Sequence, residues 1–415
     1  MCDHVNMSRA VAPRGWAPES ARIAVATTSR ADYGLLFWLL RAIDADAELE
    51  LVLYVSGGHL SPEFGSTVHQ IEADGFRIAR RIEVLLASDT PTACSKAMGL
   101  ALIAVGDALA EDRPDVLVLL GDRFEIVPMA LAAVVHGVPV AHLHGGETSE
   151  GALDEYYRHA LTKLATLHFP ATEAYARRIV QMGEDPARVQ VVGAPGLDHL
   201  HRTELLSRAA LAEALGMPLE RPTALATLHP VTTERGQAAE QADALLAALQ
   251  AEASLQAVFT KANPDAEGRA INQRVADACA AEPTRFRLVD NLGTQRYLSC
   301  LRHLDLLVGN SSSGLTEAPS FGLPVVNVGT RQRGRIAAQN VIHVGNDVDA
   351  IRGGIRTALS GAFRAGLDGL VNPYDPHGDG RVSERIAAAL KAFTRTAWDG
   401  AKRFHDLDPG VRHAD

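Results

Sequence analysis

From Arg22 onward, short runs of Val, Leu and Ile alternate with longer amphipathic stretches, and this rhythm restricts the fold more than any other feature. Runs at 22–29 (RIAVATTS), 50–57 (ELVLYVSG), 116–122 (VLVLLGD), 138–147 (VPVAHLHGGE), 167–172 (LHFPAT) and 189–196 (VQVVGAPG) predict strands. Most are apolar on both faces and end in Gly, Ser, Thr or Asp, as buried parallel strands do. Helix-length segments such as 92–112, 123–136 and 151–166 separate them. Such a βαβ rhythm implies a parallel sheet covered on both sides. After a stretch from about Asp198 to Arg221 the rhythm restarts at 223–230, 255–264, 286–292, 304–310, 324–330 and 340–346. The expected fold class is α/β, in two similar halves, with a ligand cleft between their strand carboxyl ends.

At 415 residues and 47% hydrophobic content, the chain has material for two cores. The expected division is a mobile extension at 1–20, an N-terminal domain at 21–198, a C-terminal domain at 199–380 and a tail at 397–415. A helix at 381–396 is expected to pack back on the first domain. A net charge of −10 argues against a general nucleic-acid binder, because no excess of cations is available for phosphates. Cys2, Cys94, Cys279 and Cys300 lie far apart, which indicates neither a disulfide framework nor a zinc site. No apolar run of bilayer-spanning length is evident, and the first twenty residues lack a hydrophobic block, so a soluble cytoplasmic protein is expected.

Several predicted strands end in residues that handle phosphate or protons. The first leads through Thr27, Thr28 and Ser29 to Arg30 and an apolar helix, a turn suited to an anion and equally to a simple Ser or Asp cap. Asp122 and Arg123 follow the 116–122 run, where an Asp is also an ordinary N-cap. Glu147 follows two glycines. His142 and His144, two apart on a strand, share a face, which admits a metal site but fits better with polar residues lining a cleft. Asp154 and Arg158 have the spacing of an i,i+4 ion pair. Carboxylates Asp122, Glu147 and Asp154, all following successive strand ends, form a set from which one acid and one base are drawn. In the second half His229 ends a strand. The run Gly309-Asn310-Ser311-Ser312-Ser313-Gly314-Leu315-Thr316-Glu317 predicts a Gly/Ser turn into a helix N-terminus, a diphosphate site with Glu317 toward ribose. Arg331 follows the next strand. Neither a Walker motif nor G-x-G-x-x-G is present.

Together, TSRADYGLL (28–36), LLGDRFEI (119–126), HLHGGETSEGALDEYYRHALTKLA (142–165), HPVT (229–232), GNSSSGLTEAPSFGLPVVNVGTRQRGR (309–335) and NPYDPHGDG (372–380) resemble the hydrolysing UDP-N-acetylglucosamine 2-epimerases. The resemblance covers about 22–395. It implies two Rossmann-like domains of the glycosyltransferase-B type with the active site in the interdomain cleft, and a homodimer. It implies catalytic roles for Asp122, Glu147, Asp154 and His229. UDP contacts carry over to Arg30, Arg123, Asn263, Ser311, Ser312, Ser313, Gly314, Glu317 and Arg331. The implied reaction releases UDP by anti elimination to a 2-acetamidoglucal, then adds water with inversion at carbon 2; it needs no cofactor, metal, nucleic acid or membrane.

The substrate expected first is UDP-N-acetylglucosamine, with a UDP-2,4-diacetamido-2,4,6-trideoxy sugar as the alternative, feeding sialic or legionaminic acid-type biosynthesis. A non-hydrolysing epimerase, a retaining glycosyltransferase and a non-catalytic nucleotide-sugar binder are the competing readings.

Overall fold

The computed structural model describes residues 20–86, 88, 90–150, 153–231, 234–262 and 266–407. The expected extension, apart from Ser20, and the candidate contact Asn263 lie outside these residues. Two compact units are present. The first takes the chain to Glu147, resumes at Leu153–Asp198 and includes the chain from His377; the second takes His199–Pro376 and the short segment beginning at Thr148.

The first unit holds strands β1 (Ala21–Thr27), β2 (Leu49–Ser56), β3 (Ile78–Ile82), β4 (Val116–Leu120), β5 (Val140–Leu143) and β6 (Leu167–Phe169). They form one sheet in the order β3-β2-β1-β4-β5-β6, every pair parallel. Successive residues of β1 are buried on opposite faces. Ile23 and Val25 join Leu36, Leu39 and Leu40 of the helix Arg30–Asp44, with Ile386 and Leu390 of the helix Val382–Thr394. Ala24 and Ala26 join Ala101, Val105 and Met129 on the other side. Each buried Val, Leu, Ile or Met among these contributes roughly 1.5–3 kcal/mol of transfer free energy and each Ala less, so a strand without polar alternation is what a doubly covered position selects.

The second unit repeats the plan with β7 (Thr223–Thr227), β8 (Gln256–Thr260), β9 (Phe286–Val289), β10 (Leu306–Gly309), β11 (Val325–Val328) and β12 (Val341–Val344). Their order is β12-β11-β10-β7-β8-β9, again all parallel. In both sheets the order reverses beside the first strand, between β1 and β4 and between β7 and β10. Loops leaving adjacent strands there go to opposite faces and open a crevice at the carboxyl edge.

Two elements differ from the sequence expectation. The run at 189–196 forms no strand; only Val189 bridges His168, and Gly193 at φ +94° and Pro195 interrupt the chain beyond it. Strand β3, IARRI, goes unrecognised in the sequence because its arginines suit an exposed sheet edge and mask the strand pattern. The expectation about apolar length also needs correction, since the helix Pro91–Asp112 is long and apolar enough to cross a membrane. Its stripe Ala93, Ala97, Ala101, Val105 and Ala108 nevertheless packs at helical spacing toward the first sheet.

The helix Val382–Thr394 is anchored by Asp198, which is fully buried and accepts from the backbone N–H groups of Val382 and Ser383 at 2.8 Å each. Beyond that helix, Lys402 joins Lys163 on the buried carboxylate of Glu184, at 2.6 and 2.5 Å. Asp198→Ala would strand two buried donors, so it is expected to destabilise the protein by about 1–3 kcal/mol, read as a lower denaturation midpoint with an unchanged slope.

Candidate active site

At the end of β1 the chain turns through Thr28 and Ser29 into the helix Arg30–Asp44, and Asp32 organises that turn. It accepts from Thr27 Oγ1 at 2.7 Å and from Thr28 N, Thr28 Oγ1 and Ser29 N at 2.9 Å each. His59, fully buried, lies 3.8 Å from the same carboxylate and contacts Thr27 Oγ1 at 2.9 Å. Burial works to raise the Asp32 carboxyl, but His59 and these donors outweigh it and hold it below its ordinary value. The cap reading of the turn therefore holds for Ser29 and Asp32, which form a reciprocal capping box. It leaves Arg30 exposed on the first turn of the helix.

The ends of β4 and β5 carry the carboxylates. Arg158, 2% exposed, enters from the helix Leu153–Leu164 and pairs through Nη2 with Asp122. Its Nη1 donates to the His144 carbonyl at 2.7 Å and lies 3.8 Å from Glu147 Oε2. Arg158 thus reaches inward, to the β4 and β5 ends, while its charge still acts on Asp154 one turn earlier on the helix. His144 Nδ1 lies 2.5 Å from Glu147 Oε1. Gly146 makes this bend possible: it sits at φ +75°, and a Cβ there would lie 2.5 Å from the Tyr175 carbonyl oxygen. The expectation that His142 and His144 share a strand face is corrected, because β5 stops at Leu143 and His144 lies at φ +62°. His142 instead donates through Nε2 to the Gly121 carbonyl at 2.7 Å, and burial pushes its imidazole down to about 3.

Asp154 stands in the first turn of its helix. Loss of hydration first, and repulsion from Asp122 second, push its carboxyl up to about 6. Arg158 and Arg123 pull the Asp154 carboxyl the other way without cancelling that rise. Arg123, half-exposed, makes a two-point pair with Glu125 at 2.7 and 3.2 Å. Partial burial opposes its charge, but Glu125, Asp32 and Asp154 more than compensate and raise it.

In the second unit the crevice lies between the ends of β7 and β10. Asn310 takes the backbone of His229 in a two-point clamp, its Oδ1 accepting from His229 N at 2.7 Å and its Nδ2 donating to His229 O at 2.8 Å. Arg331 and Gln332 both donate to the Asn310 carbonyl, at 3.0 and 2.8 Å. Burial first, and the charge of Arg331 second, push the His229 imidazole down to about 4. His229 is therefore neutral near pH 7 and donates through a single N–H. Ser311 and Ser312 are partly open, Ser313 and Gly314 are buried, and Glu317 accepts from the Thr316 hydroxyl. The expected helix N-terminus after this turn belongs to a single turn, Ser313–Thr316, followed by a 3-10 segment, Ala318–Phe321, because Pro319 cannot continue the hydrogen-bond ladder. What the turn offers an anion is hydroxyls and local N–H groups rather than a helix dipole.

The UDP-N-acetylglucosamine 2-epimerase family profile matches residues 41–391. The chain belongs to this family. Among its relatives, the GDP/UDP-N,N'-diacetylbacillosamine 2-epimerase (hydrolyzing) of Campylobacter jejuni is 37% identical over 329 residues, covering 79% of this chain and 85% of the relative. The UDP-N,N'-diacetylbacillosamine 2-epimerase (hydrolyzing) of Legionella pneumophila is 36% identical over 372 residues, 90% and 96% of the two chains. The crystal structure of the Neisseria meningitidis UDP-GlcNAc 2-epimerase superposes with a TM-score of 0.77 over 89% of this chain and 99% of that one, at 16% identity. The fold is accordingly two Rossmann-like domains of the glycosyltransferase-B type.

Sequence reasoning brought forward the carboxylates and the serine turn but not Asn310 or His144 as working parts of this epimerase-family chain. Asn310 was visible as a side chain between a strand-ending glycine and three serines; its partner, His229, is 81 residues away. Gly309 underlies that clamp at φ +129°, where a Cβ would sit 1.8 Å from the Thr227 carbonyl oxygen. Gly309→Ala must displace backbone, and is expected to cost about 2 kcal/mol or more of stability, measured by denaturant unfolding.

Proposed function

We propose that this family member is a hydrolysing 2-epimerase that releases UDP from a UDP-2-acetamido sugar and inverts carbon 2. The observation that carries the proposal is the first unit's carboxylate set. Asp122 and Glu147 are tied to one buried guanidinium, and loss of hydration together with the charge of Asp122 keeps Asp154 protonated to higher pH. Such a set supplies a base and an acid from like groups. The hydrogen at C2 is not next to a carbonyl, so it becomes acidic only as UDP departs from C1. Its removal forms the C1=C2 bond while the C1–O electron pair leaves on UDP. Water then adds its oxygen to C1, and an acid delivers a proton to the opposite face of C2.

The proposal assigns the C2 chemistry to Asp122, Glu147 and Asp154, with Asp154 as the acid. It assigns the diphosphate to Ser311, Ser312, Ser313, Gly314 and Arg331 with neutral His229 as a donor, and the nucleoside end to Glu317. Arg30, Arg123 and Asn263 are proposed as further UDP contacts. The similarity to two hydrolysing enzymes named for UDP-N,N'-diacetylbacillosamine favours the 2,4-diacetamido-2,4,6-trideoxy sugar as substrate. UDP-N-acetylglucosamine is the second candidate, supported by the family itself.

Asp122→Asn, Glu147→Gln and Asp154→Asn are each expected to keep the fold and lose at least ~100-fold in turnover, measured as UDP release from both sugars. Near wild-type rates in all three would overturn the assignment. In deuterium oxide the free sugar should carry deuterium at C2, and product lacking it would exclude elimination and rehydration. Asp154 holds its proton below about pH 6 and loses it above, so as an acid it makes kcat/KM fall as pH rises through that value. Asp154→Asn should lack that limb.

A homodimer completes the proposal. The helices Pro91–Asp112 and Ile126–Val135 pack together and leave Leu100, Leu102, Ile103, Leu131, Val134 and Val135 exposed, Ile103 and Val135 by 67% and 68%. An apolar patch of this kind suits a second copy of the chain. The double variant Ile103→Asp/Val135→Asp should run as a monomer in light scattering; an unchanged mass would show that the pairing face lies elsewhere.

A further inference from the structure

We infer that His144 is the base that takes the C2 proton, and that Glu147 acts through it as a positioning residue. The inference rests on the C2 chemistry proposed above and refines it, moving contact with the C2 hydrogen from a carboxylate to the imidazole that Glu147 holds. His144 lies just past the end of β5 at φ +62°, a left-handed conformation uncommon outside glycine, although His adopts it more readily than most residues. Such a backbone persists only where the surroundings hold it, and here they do. Its N–H donates to the Phe169 carbonyl at 3.2 Å, and its own carbonyl accepts from Arg158 Nη1 at 2.7 Å.

The ring is fixed as closely as the backbone. Nδ1 lies 2.5 Å from Glu147 Oε1, while Nε2 is buried and has no hydrogen-bond partner among the described residues. An ionised carboxylate only accepts, so Nδ1 carries the proton and Nε2 is the nitrogen with the free lone pair. A buried acceptor without a donor is unfavourable for a group with a purely structural task. It is the state a base requires. His142 likewise has one ring nitrogen, Nδ1, without a partner among the described residues. Its Nε2, however, is held by the backbone carbonyl of Gly121, whereas the His144 ring is held by a carboxylate that can stabilise the imidazolium.

The groups around His144 fit the gain of a proton. Glu147 faces Nδ1, and Arg158 faces the His144 carbonyl while pairing with Asp122. His142 stands on β5 itself and His168 beside it on β6, Arg178 donates to the Gly146 carbonyl at 2.6 Å, and Asp154 lies on the helix that carries Arg158. When Nε2 takes the C2 proton, the C–H electron pair becomes the C1=C2 bond and the C1–O pair leaves on UDP. The imidazolium formed is stabilised by the Glu147 carboxylate, as in other histidine–carboxylate pairs. Water then gives its oxygen to C1, Asp154 protonates C2 and recovers a proton from that water, and His144 returns its proton to solvent. Glu147 itself never meets the sugar.

The test measures UDP release against pH for wild type, His144→Gln, Glu147→Gln and the double variant, with UDP affinity and thermal midpoint recorded for each. His144→Gln should lose at least ~100-fold in kcat with UDP affinity held within about threefold. The double variant should be no slower than the slower single, because both changes break one relay. His144→Gly removes the ring and relaxes the backbone, so it guards against a folding defect; added imidazole should restore at least ~10-fold of its activity. The inference is overturned if His144→Gln or His144→Gly keeps kcat within about threefold of wild type, if imidazole fails to restore His144→Gly, or if the two losses multiply in the double variant. Wild type that turns over neither UDP sugar would instead overturn the proposed function, which separates the two failures.

Discussion

A parallel sheet delivers the carboxyl ends of all its strands to one edge, and everything functional in this chain hangs on that constraint. In each unit the strand order reverses beside the first strand, so two loops part and leave backbone groups that no ladder satisfies. In the first unit those ends place Thr27 to Asp32 beside Asp122. In the second they place His229 beside Asn310. The same geometry that forces apolar residues into β1 and β7 forces polar ones into the residues that follow, because the edge is where the chain leaves the core.

Arg158 decides how three carboxylates coexist in the first unit. A buried guanidinium is costly without partners, and removing one partner from such a pair costs about 3–5 kcal/mol. Asp122, the His144 carbonyl and Glu147 supply those partners. Asp154 feels Arg158 as well, but loss of hydration and the charge of Asp122 outweigh it and hold its proton to about pH 6. Unequal surroundings, not the chemistry of the side chains themselves, are what separate like carboxylates. The second unit obtains its selectivity differently. Asn310 grips both backbone groups of His229, and the Arg331 charge helps keep that imidazole neutral.

Much of this architecture is legible in the residues. Eleven of the twelve strands announce themselves as apolar runs; β3 does not, since Arg80 and Arg81 suit an edge strand and defeat the apolar criterion. The run VQVVGAPG reads as a strand and is not one, because a hydrophobic run needs a neighbour to pair with and Gly193 and Pro195 turn the chain away. The serine turn after β10 is legible as an anion site, yet the helix expected behind it ends after one turn at Pro319. Asp154 and Arg158 read as a local pair, and only the fold turns Arg158 toward Asp122, 36 residues away.

By itself the sequence determined the two α/β halves, the family and the list of carboxylates, because strand burial and short motifs are local properties of the chain. Tertiary structure decided which groups share charge and which protons are held. Those depend on distances between residues far apart in sequence: Arg158 with Asp122, Asn310 with His229, and the turn at His144 that closes its ring on Glu147. Hydrogen bonds and close ion pairs form only where such groups come within a few ångströms, and no spacing in the sequence encodes that.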